Sequence, residues 1–321
     1  MNFNGALLIN KQEGVSSFGV IEILQDQLRA QHGVKKKDLP KLGHGGTLDP
    51  FATGLLVVLV GRAVKLAQYF LGATKGYAGT MRFGETTIPG DPTAPISERS
   101  DVLPTSEVAL QDLAHRLTLQ PYLQIPPMHS AKKKNGKPLY ELARAGIEIE
   151  RDPKLCHLYD FKIKSYEAPH AKFEVRCSSG TYIRTLAQDF GRHLGTVALL
   201  ETLHRTSSGV FSVAHAMTTD QIGSATTNGA SWDELPCWMP FDRLLDGYDR
   251  ADATQMERTD LIQGKQNVLF NLLKRTQSPT LKSSQQNETC VAIYCNEALV
   301  AVARRDSERW GIDRVFVNQN A

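Results

Sequence analysis

The glycine-rich segment GHGGTLDP at 43–50 contains a lone carboxylate, Asp49, with His44 beside it. Glycines let a backbone approach another group closely, and Pro50 restricts the conformation of Asp49. A carboxylate in such a loop is the type of group that acid–base or nucleophilic catalysis uses. An aspartate before a proline is also typical of a turn residue or a helix cap, and a histidine between glycines is typical of an exposed polar position.

Three further residues, at the ends of predicted strands and helices, could form a site together with this carboxylate. Tyr77 begins a strand, and Tyr182 and Arg184 lie in the first turn of a helix. A tyrosine at a strand start is usually half-buried packing. An arginine at a helix N-terminus opposes the helix dipole, which is unfavourable unless a carboxylate lies nearby. The combination therefore suggests a site, although each residue alone does not.

The common signatures of other site types are absent from the sequence. There is no GxSxG nucleophile elbow, no phosphate-binding GK[ST] ending after 43–49, no GxGxxG before a helix and no HExxH. The five cysteines are odd in number and contain no CxxC pair, so neither a disulfide framework nor a zinc site is indicated. We expect no metal and no cofactor, with the cysteines as reduced thiols.

Hydrophobic periodicity predicts the elements that must position these residues. A strand over 5–10 leads into a helix over 15–28 that Ser16 or Ser17 caps, and the apolar run 55–60 follows the glycine-rich segment. Thr181 is the expected cap of the helix that contains Arg184. The remaining predicted elements of this part are a helix over 64–70, a strand over 77–83, a helix over 106–117, a strand over 172–177 and a helix over 183–194.

Two lysine-rich segments are predicted to be exposed loops. The first spans 29–41 and includes Lys35, Lys36 and Lys37. The second spans 132–137 and leads into a predicted helix over 139–145; its lysines are Lys132, Lys133, Lys134 and Lys137. The two clusters could form two basic patches on one face of the protein, which is typical of a nucleic-acid-binding surface. A run of charged residues is also typical of an ordinary solvated surface.

Composition and charge exclude several classes of protein. The 321 residues are 41% hydrophobic, with 37 basic and 34 acidic side chains, so the chain is globular rather than disordered. A net charge of +3 does not by itself indicate a nucleic-acid binder. The N-terminus lacks the features of a signal peptide, and the longest apolar run, 54–60, is far shorter than the roughly 20 residues of a membrane helix. We expect a cytoplasmic protein that contacts no membrane.

The C-terminal part differs in pattern from the rest of the chain. The small and polar residues of 221–236 predict a surface loop. From about residue 251, a short helix, a polar stretch at 278–289 and two β-like runs, 290–295 and 299–303, predict a separate β-rich module. The length fits one large domain followed by this small one.

Several long motifs in order give the sequence a specific resemblance. The chain resembles the TruB family of tRNA pseudouridine-55 synthases over about residues 3–212. Local departures are Gln12 and Pro89, where that family commonly has proline and threonine, and His129, where it commonly has tyrosine. The matching segments are KQEGVSS at 11–17, GHGGTLDPFATGLL at 43–56, KGY at 75–77, QIPP at 124–127 with SAK at 130–132, GTYIRTLA at 180–187 and LHRT at 203–206.

The resemblance implies a role for each matched residue. Asp49 matches the catalytic aspartate, which attacks C6 of uracil or C1′ of the ribose, or promotes deprotonation at C2′. Arg184 matches the arginine that pairs with it, and Tyr77 matches the aromatic residue that stacks on the base and is a candidate for proton transfer. Tyr182 and Leu203 match residues that line the uracil pocket. His44 matches the histidine that holds the surroundings of the flipped-out nucleotide, and the two lysine segments would contact tRNA phosphates.

The resemblance also implies a fold and partners. The expected fold is α+β: a mixed, largely antiparallel central sheet flanked by helices and loops, followed by a small β-rich PUA-like domain. The expected ranges are 1–245 for the catalytic domain, with a thumb-like RNA-binding insertion at about 124–151, and 246–321 for the PUA-like domain. The expected partner is the T-arm of tRNA, bound by a monomer that needs no protein partner and no cofactor. The alternative is a protein that only binds or remodels RNA, which would not need the full set of site residues.

Overall fold

The computed structural model describes residues 3–128, 133–134, 137–138, 147, 149–276, 290–306 and 309–316, with only the backbone of 133–134 and 137–138. The chain divides into two compact units, residues 1–3 with 7–238 and residues 4–6 with 239–321. The domain ranges 1–245 and 246–321 stay a prediction. Within the described ranges, no helix has both the length and the apolar character needed to cross a membrane.

The elements up to residue 240 are as follows. The strands are β1 Gly5–Lys11, β2 Leu42–His44, β3 Thr53–Val60, β4 Lys75–Phe83, β5 Glu85–Thr87, β6 Ile96–Arg99, β7 Tyr122–Gln124, β8 Lys133–Lys134, β9 Lys137–Pro138, β10 Lys154–Cys156, β11 Leu158–Glu167, β12 His170–Cys177, β13 Ala198–Ser208, β14 Phe211–Ser212 and β15 Trp238–Pro240. The α-helices are α1 Ser17–His32, α2 Ala67–Gly72, α3 Glu107–Thr118, α4 Ile183–His193 and α5 Thr219–Thr227. The 3₁₀ helices are Lys36–Asp38, Gly61–Leu66, Val213–His215 and Trp232–Glu234.

A mixed sheet forms the centre of the first unit. Its strands follow the order β11-β12-β4-β13-β3-β1, with β14 paired to β13 and β2 paired to β3. The β13–β3 pair is parallel, whereas β11–β12, β12–β4, β4–β13 and β2–β3 are antiparallel. The prediction of a mixed, largely antiparallel sheet is therefore confirmed.

The sequence patterns explain the first elements. Ser16 is the N-cap of α1 and accepts a hydrogen bond from the backbone N–H of Gly19. The predicted capped helix is thus confirmed, and its C-terminus is capped by Gly33, whose φ of 63° suits glycine. Strand β3 is buried along nearly its whole length, as expected for a central strand with neighbours on both edges.

Helix α4 packs on the sheet and carries Arg184 at its start. Its apolar side chains at helical spacing, including Ile183, Leu186 and Phe190, are buried. The Phe190 ring lies 5.3 Å from that of Phe161 and 6.4 Å from that of Phe83, centroid to centroid. These contacts fix the helix, and therefore its first turn, against the sheet.

Two local predictions are wrong. Residues 219–227 form helix α5 rather than a surface loop, because Thr218 makes a reciprocal capping box with Gln221. Thr181 does not cap α4: its hydroxyl donates to the Ser178 carbonyl, and Tyr182 occupies the N-cap position without a side-chain cap.

The second unit is β-rich, as predicted. The strands β16 Asp249–Asp252, β17 Cys290–Cys295, β18 Ala298–Asp306 and β19 Arg309–Val315 form a sheet in that order. The helices α6 Gln255–Ile262 and α7 Gln266–Arg275 share a buried apolar core with it, and a 3₁₀ helix spans Phe241–Arg243. The sequence predicted one helix and the strands β17 and β18; β16, α7 and β19 were missed. The predicted polar stretch at 278–289 lies outside the described residues.

Candidate active site

The loop that carries Asp49, residues 45–50, is fixed between β2 and β3. The Ser17 hydroxyl bonds both backbone groups of Leu48, at 2.8 Å from its N–H and 3.0 Å from its carbonyl. A Cβ at Gly45 would lie 2.6 Å from Cβ of Phe70, so only glycine fits there. We call residues 45–50 the Asp49 loop; its backbone is anchored although it belongs to no strand or helix.

Lys11, which the sequence analysis did not assign to the site, holds the far end of this loop. The Lys11 ammonium is buried and donates to the carbonyls of Gln12, Val15 and Pro50 at 2.7–3.1 Å. Burial lowers the pKa of Lys11 to about 8, although the charge of Asp49 opposes this. Lys11 therefore places a cation and a backbone anchor next to the catalytic candidate.

Arg184 pairs with Asp49. Its Nε lies 2.9 Å from Oδ2 and its Nη2 lies 3.4 Å from Oδ1 of Asp49. The Arg184 side chain is 5% exposed, whereas that of Asp49 is 37% exposed. This arrangement explains an arginine in the first turn of α4, where the helix dipole disfavours it.

Arg184 also bonds a second carboxylate. Its Nη1 donates to the Pro89 carbonyl at 2.9 Å and lies 3.4 Å from Oδ2 of Asp91. Asp91 is buried and accepts hydrogen bonds from the backbone N–H and the hydroxyl of Thr93. The guanidinium therefore lies between two aspartates, of which only Asp49 is substantially exposed. Pro89, a departure from the family motif, acts through its backbone carbonyl.

The pKa of Asp49 is raised, whereas pairing with an arginine would by itself lower the pKa of a carboxylate. Burial raises the pKa and the charge of Asp91 raises it further, while Arg184 and Lys11 lower it. The net shift is upward. Enclosure of the carboxylate outweighs the arginine, which makes Asp49 a stronger base than an ordinary aspartate.

Tyr77 and Leu203 lie on the same face of the sheet. Tyr77 in β4 is opposite Arg205 in β13, and Gly79 in β4 is opposite Leu203. Residues two apart on a strand share a face, so these side chains are neighbours. Tyr77 and Leu203 are both buried. Burial raises the pKa of Tyr77, with the charge of Arg205 opposing it, so the phenol is neutral at physiological pH.

Tyr182 and His44 lie at partly buried positions. Gln124 holds the Tyr182 backbone, since its Oε1 accepts from the Tyr182 N–H at 2.7 Å and its Nε2 donates to the Tyr182 carbonyl at 3.0 Å. His44 ends β2 opposite Val58. Burial lowers the pKa of His44 and the charge of Arg205 lowers it further, so the imidazole is held neutral.

The lysine segments are only partly described. Lys35, Lys36 and Lys37 are exposed around the 3₁₀ helix Lys36–Asp38. In the second segment, β8 and β9 pair antiparallel, and Lys133, Lys134 and Lys137 lie in them; their side chains, Lys132 and the predicted helix over 139–145 lie outside the described residues. Strands β7 and β10 pair where the predicted insertion begins and ends.

Four of the five residues that the sequence analysis missed share one property: their side chains bond mainly to backbone. Lys11, Lys75, Gln124 and Arg205 each contact carbonyls or amides, and Asp91 holds Arg184. Four of these five residues lie in or beside the segments that match the family, and this position in a matching segment was the sequence feature that could have identified them. Among the residues described, no group of three or more His, Cys, Asp or Glu side chains is placed to hold a metal ion.

Comparison with known proteins gives consistent matches. The sequence profile of the TruB family pseudouridylate synthase (N terminal domain) matches residues 32–183, and that of the tRNA pseudouridylate synthase B C-terminal domain matches 184–251. The chain is similar to tRNA pseudouridine synthase B of Bordetella avium (strain 197N), with 44% identity over 73% of this chain and 93% of the relative. It is also similar to tRNA pseudouridine synthase B of Neisseria meningitidis serogroup B, with 40% identity over 95% of this chain and 91% of the relative.

The fold is similar to that of a solved structure. The crystal structure of a Cbf5-Nop10-Gar1 complex matches with a TM-score of 0.69 at 20% identity, covering 98% of this chain and 86% of that one. The expected fold class is therefore confirmed.

Proposed function

The chain belongs to the TruB family of pseudouridylate synthases, and from that premise we propose that it isomerises uridine 55 in the T-loop of tRNA to pseudouridine. In this proposal the target base leaves its stack and Asp49 is the essential catalytic group. The observation that supports it most directly is Asp49, partly exposed and held 2.9 Å from the buried Arg184. A carboxylate so placed is accessible to a substrate and has a cation beside it.

The reaction rearranges bonds without any change in composition. The bond from N1 of uracil to C1′ breaks, a bond from C5 to C1′ forms, C5 loses its proton and N1 gains one. No electrons enter or leave, so the reaction is redox-neutral. Three first steps are open to Asp49: attack at C6, attack at C1′, or acceptance of the C2′ proton. In each, the raised pKa of Asp49 increases its basicity.

Tyr77, Tyr182 and Leu203 form the proposed base pocket. The phenol ring of Tyr77 supplies a flat face for stacking, and the buried Leu203 supplies an apolar wall. A released base must rotate without escaping, which favours such an enclosure. Tyr77 is also the candidate for the proton transfer that restores aromaticity. Because burial raises its pKa, it enters that step as a neutral phenol, so it can take the C5 proton only if its own hydroxyl proton leaves in the same step.

The proposed partner is the T-arm of tRNA, bound by a monomer without a protein partner. The exposed Lys35–Lys37 segment would contact phosphates, which gives affinity without sequence information. We assign the β-rich second unit as a PUA-like RNA-binding domain.

The test is to incubate the protein with unmodified tRNA transcript and map pseudouridine. We expect product at uridine 55 and none when that uridine is replaced by cytidine. Asp49→Asn should abolish turnover while tRNA binding persists, and Asp26→Asn, at an exposed aspartate of α1, is the control. Binding without product by the wild-type protein would instead support the protein that only binds or remodels RNA. A substantial rate in Asp49→Asn would place the catalytic group elsewhere.

A further inference from the structure

Arg205 is a buried cation at the point where three strands of the sheet meet. It lies in β13, opposite Tyr77 of β4 on one side and Gly54 of β3 on the other. Only 2% of the residue is exposed. In the part of the chain that the structure describes, no carboxylate pairs with it, so its charge is compensated by carbonyl dipoles. A buried charge without a counter-ion is costly and persists where its hydrogen bonds are well placed.

The Arg205 guanidinium bonds the Asp49 loop and the strand that follows it. Its Nη2 donates to the Gly46 carbonyl at 3.0 Å and its Nη1 to the Thr47 carbonyl at 3.3 Å, three and two residues before Asp49. Its Nε donates to the Leu55 carbonyl at 2.7 Å, in the strand that the loop enters. One planar group therefore fixes the backbone before and after Asp49.

The backbone of Arg205 supports the same geometry. A Cβ at Gly54 would lie 2.4 Å from the Arg205 carbonyl oxygen and 2.7 Å from its nitrogen, and Gly54 has a φ of +96°. The exit of the loop and the backbone of Arg205 are thus in close contact. Glycine is required there both by the space and by the backbone conformation.

The other neighbour of Arg205 is the candidate stacking residue. Tyr77 is its direct cross-strand partner, so both side chains emerge on one face of adjacent strands. The charge of Arg205 acts on the Tyr77 hydroxyl, whose pKa it lowers against the effect of burial. Arg205 therefore contacts the loop that carries the carboxylate and lies beside the aromatic ring.

We propose that Arg205 is a positioning residue that sets the placement of Asp49 relative to Tyr77 by clamping the Asp49 loop to the strand next to β4. This rests on the proposed function, because Asp49 and Tyr77 are its reacting and stacking groups. Lysine cannot replace the clamp, because its ammonium lacks the planar fork that reaches carbonyls in three directions. A displacement of about 1 Å in a reacting group costs on the order of 100-fold in rate.

The test compares Arg205→Lys and Arg205→Ala with the wild-type protein. We expect the single-turnover rate at saturating tRNA to fall on the order of 100-fold in Arg205→Lys, with the Kd for tRNA within about threefold. Guanidinium ion at millimolar concentration should partly restore the rate of Arg205→Ala, and ammonium ion should not. Arg116→Lys, at an exposed arginine of α3, is the matched control.

Thermal unfolding separates positioning from a purely structural role. Rates are measured well below the melting temperature of every variant, so a loss that persists there reports geometry in the folded protein. An Arg205→Lys rate within threefold of wild type would overturn the assignment. A rate loss in both variants that disappears on cooling would also overturn it. The same holds for a rate loss that is matched by an equal loss of tRNA affinity. An inactive wild-type protein would overturn the proposed function itself, whereas an active wild type with unaffected variants overturns only the role of Arg205.

Discussion

The side-chain amide of Gln124 bonds both backbone groups of Tyr182, at 2.7 Å to its N–H and 3.0 Å to its carbonyl. Gln124 is 1% exposed and ends β7. On the same strand, the Tyr122 hydroxyl bonds Asp189 in α4. The strand where the predicted insertion begins is therefore fixed to the helix that carries Arg184. Under the proposed function, Gln124 thus holds Tyr182, a wall of the proposed base pocket, two residues before the partner of Asp49.

Gln124→Glu should slow catalysis. The substitution keeps the acceptor for the Tyr182 N–H but replaces the donor to the Tyr182 carbonyl with a second oxygen. The Tyr182 carbonyl keeps its hydrogen bond from the Leu186 N–H at 3.0 Å, but a second hydrogen bond, worth about 1 kcal/mol, is replaced by a contact between two oxygens. A loss of about 1.4 kcal/mol from the transition state lowers the rate about tenfold. The measurement is the single-turnover rate at saturating tRNA.

Gln111→Glu is a closely matched control for this variant. Gln111 in α3 also bonds backbone on both sides of its amide, accepting from the Ile163 N–H at 2.8 Å and donating to the Phe161 carbonyl at 3.4 Å. It should lower the melting temperature comparably without changing the rate of the folded protein. Equal rate losses in the two variants would show that the effect is on stability alone.

Asp91→Asn should shift the acid limb of the pH–rate profile to lower pH. The charge of Asp91 raises the pKa of Asp49, so its removal lowers that pKa, and the ionised carboxylate then persists at lower pH. The plateau rate should fall about tenfold, because the ion pair with Asp91 orients Arg184 and a polar contact to a charged group contributes about 1.5 kcal/mol. An acid limb that stays in place, or moves upward, would contradict the coupling of the two carboxylates.

The pairing of Asp49 with Arg184 was implied by the family resemblance, and the residue type at the start of the helix agreed with it. An arginine at a helix N-terminus is unfavourable without a carboxylate, so the pattern itself called for a partner. Strands β1, β4 and β12 and helix α4 were predictable for a similar reason, since burial imposes a period of two or of about 3.6 on the apolar residues. Strands β11 and β13 were missed. What these patterns could not provide was the register that brings Tyr77 opposite Arg205.

The backbone contacts of Arg184 and Arg205 were not predictable, because the groups that accept their hydrogen bonds are backbone carbonyls. Gly46, Thr47 and Pro89 accept hydrogen bonds from arginines through an atom that every residue has. No residue type marks such a position. Helix α5 was missed for a different reason: its small and polar residues have weak helix propensity, and the capping box together with the buried Ile222 stabilises it.

Lys75 should make stability depend on pH. Its ammonium is 6% exposed and donates to the Phe70 and Ala73 carbonyls at 2.7 and 2.8 Å. Burial, with the charge of Arg205, lowers its pKa to about 7 from 10.5. Between these values the unfolded chain holds more protons than the folded one, so the free energy of unfolding rises with pH. Below about pH 7 both states are protonated and this dependence ends.

The measurement for Lys75 is the melting temperature of the wild-type protein minus that of Lys75→Met, at pH values from 6 to about 10. This difference should be constant at the acid end and grow as the pH rises above 7, because other titrating groups are common to both proteins. Lys65→Met, at an exposed lysine, should give a flat difference. A flat difference for Lys75→Met as well would mean that the buried amine titrates normally.

Replacing Lys35, Lys36 and Lys37 together by alanine should weaken tRNA binding and reduce its salt dependence. Each lost phosphate contact lowers the slope of log K against log salt concentration by about 0.7–0.9, so the triple variant should reduce it by about 2 if most of the three lysines contact phosphate. The control is Lys162→Ala with Lys164→Ala, at exposed lysines that already pair with Asp160 and Glu174. If the slope of the triple variant equals that of wild type, the segment is an ordinary solvated surface, and the same measurement on 132–134 then decides whether the second segment supplies the phosphate contacts.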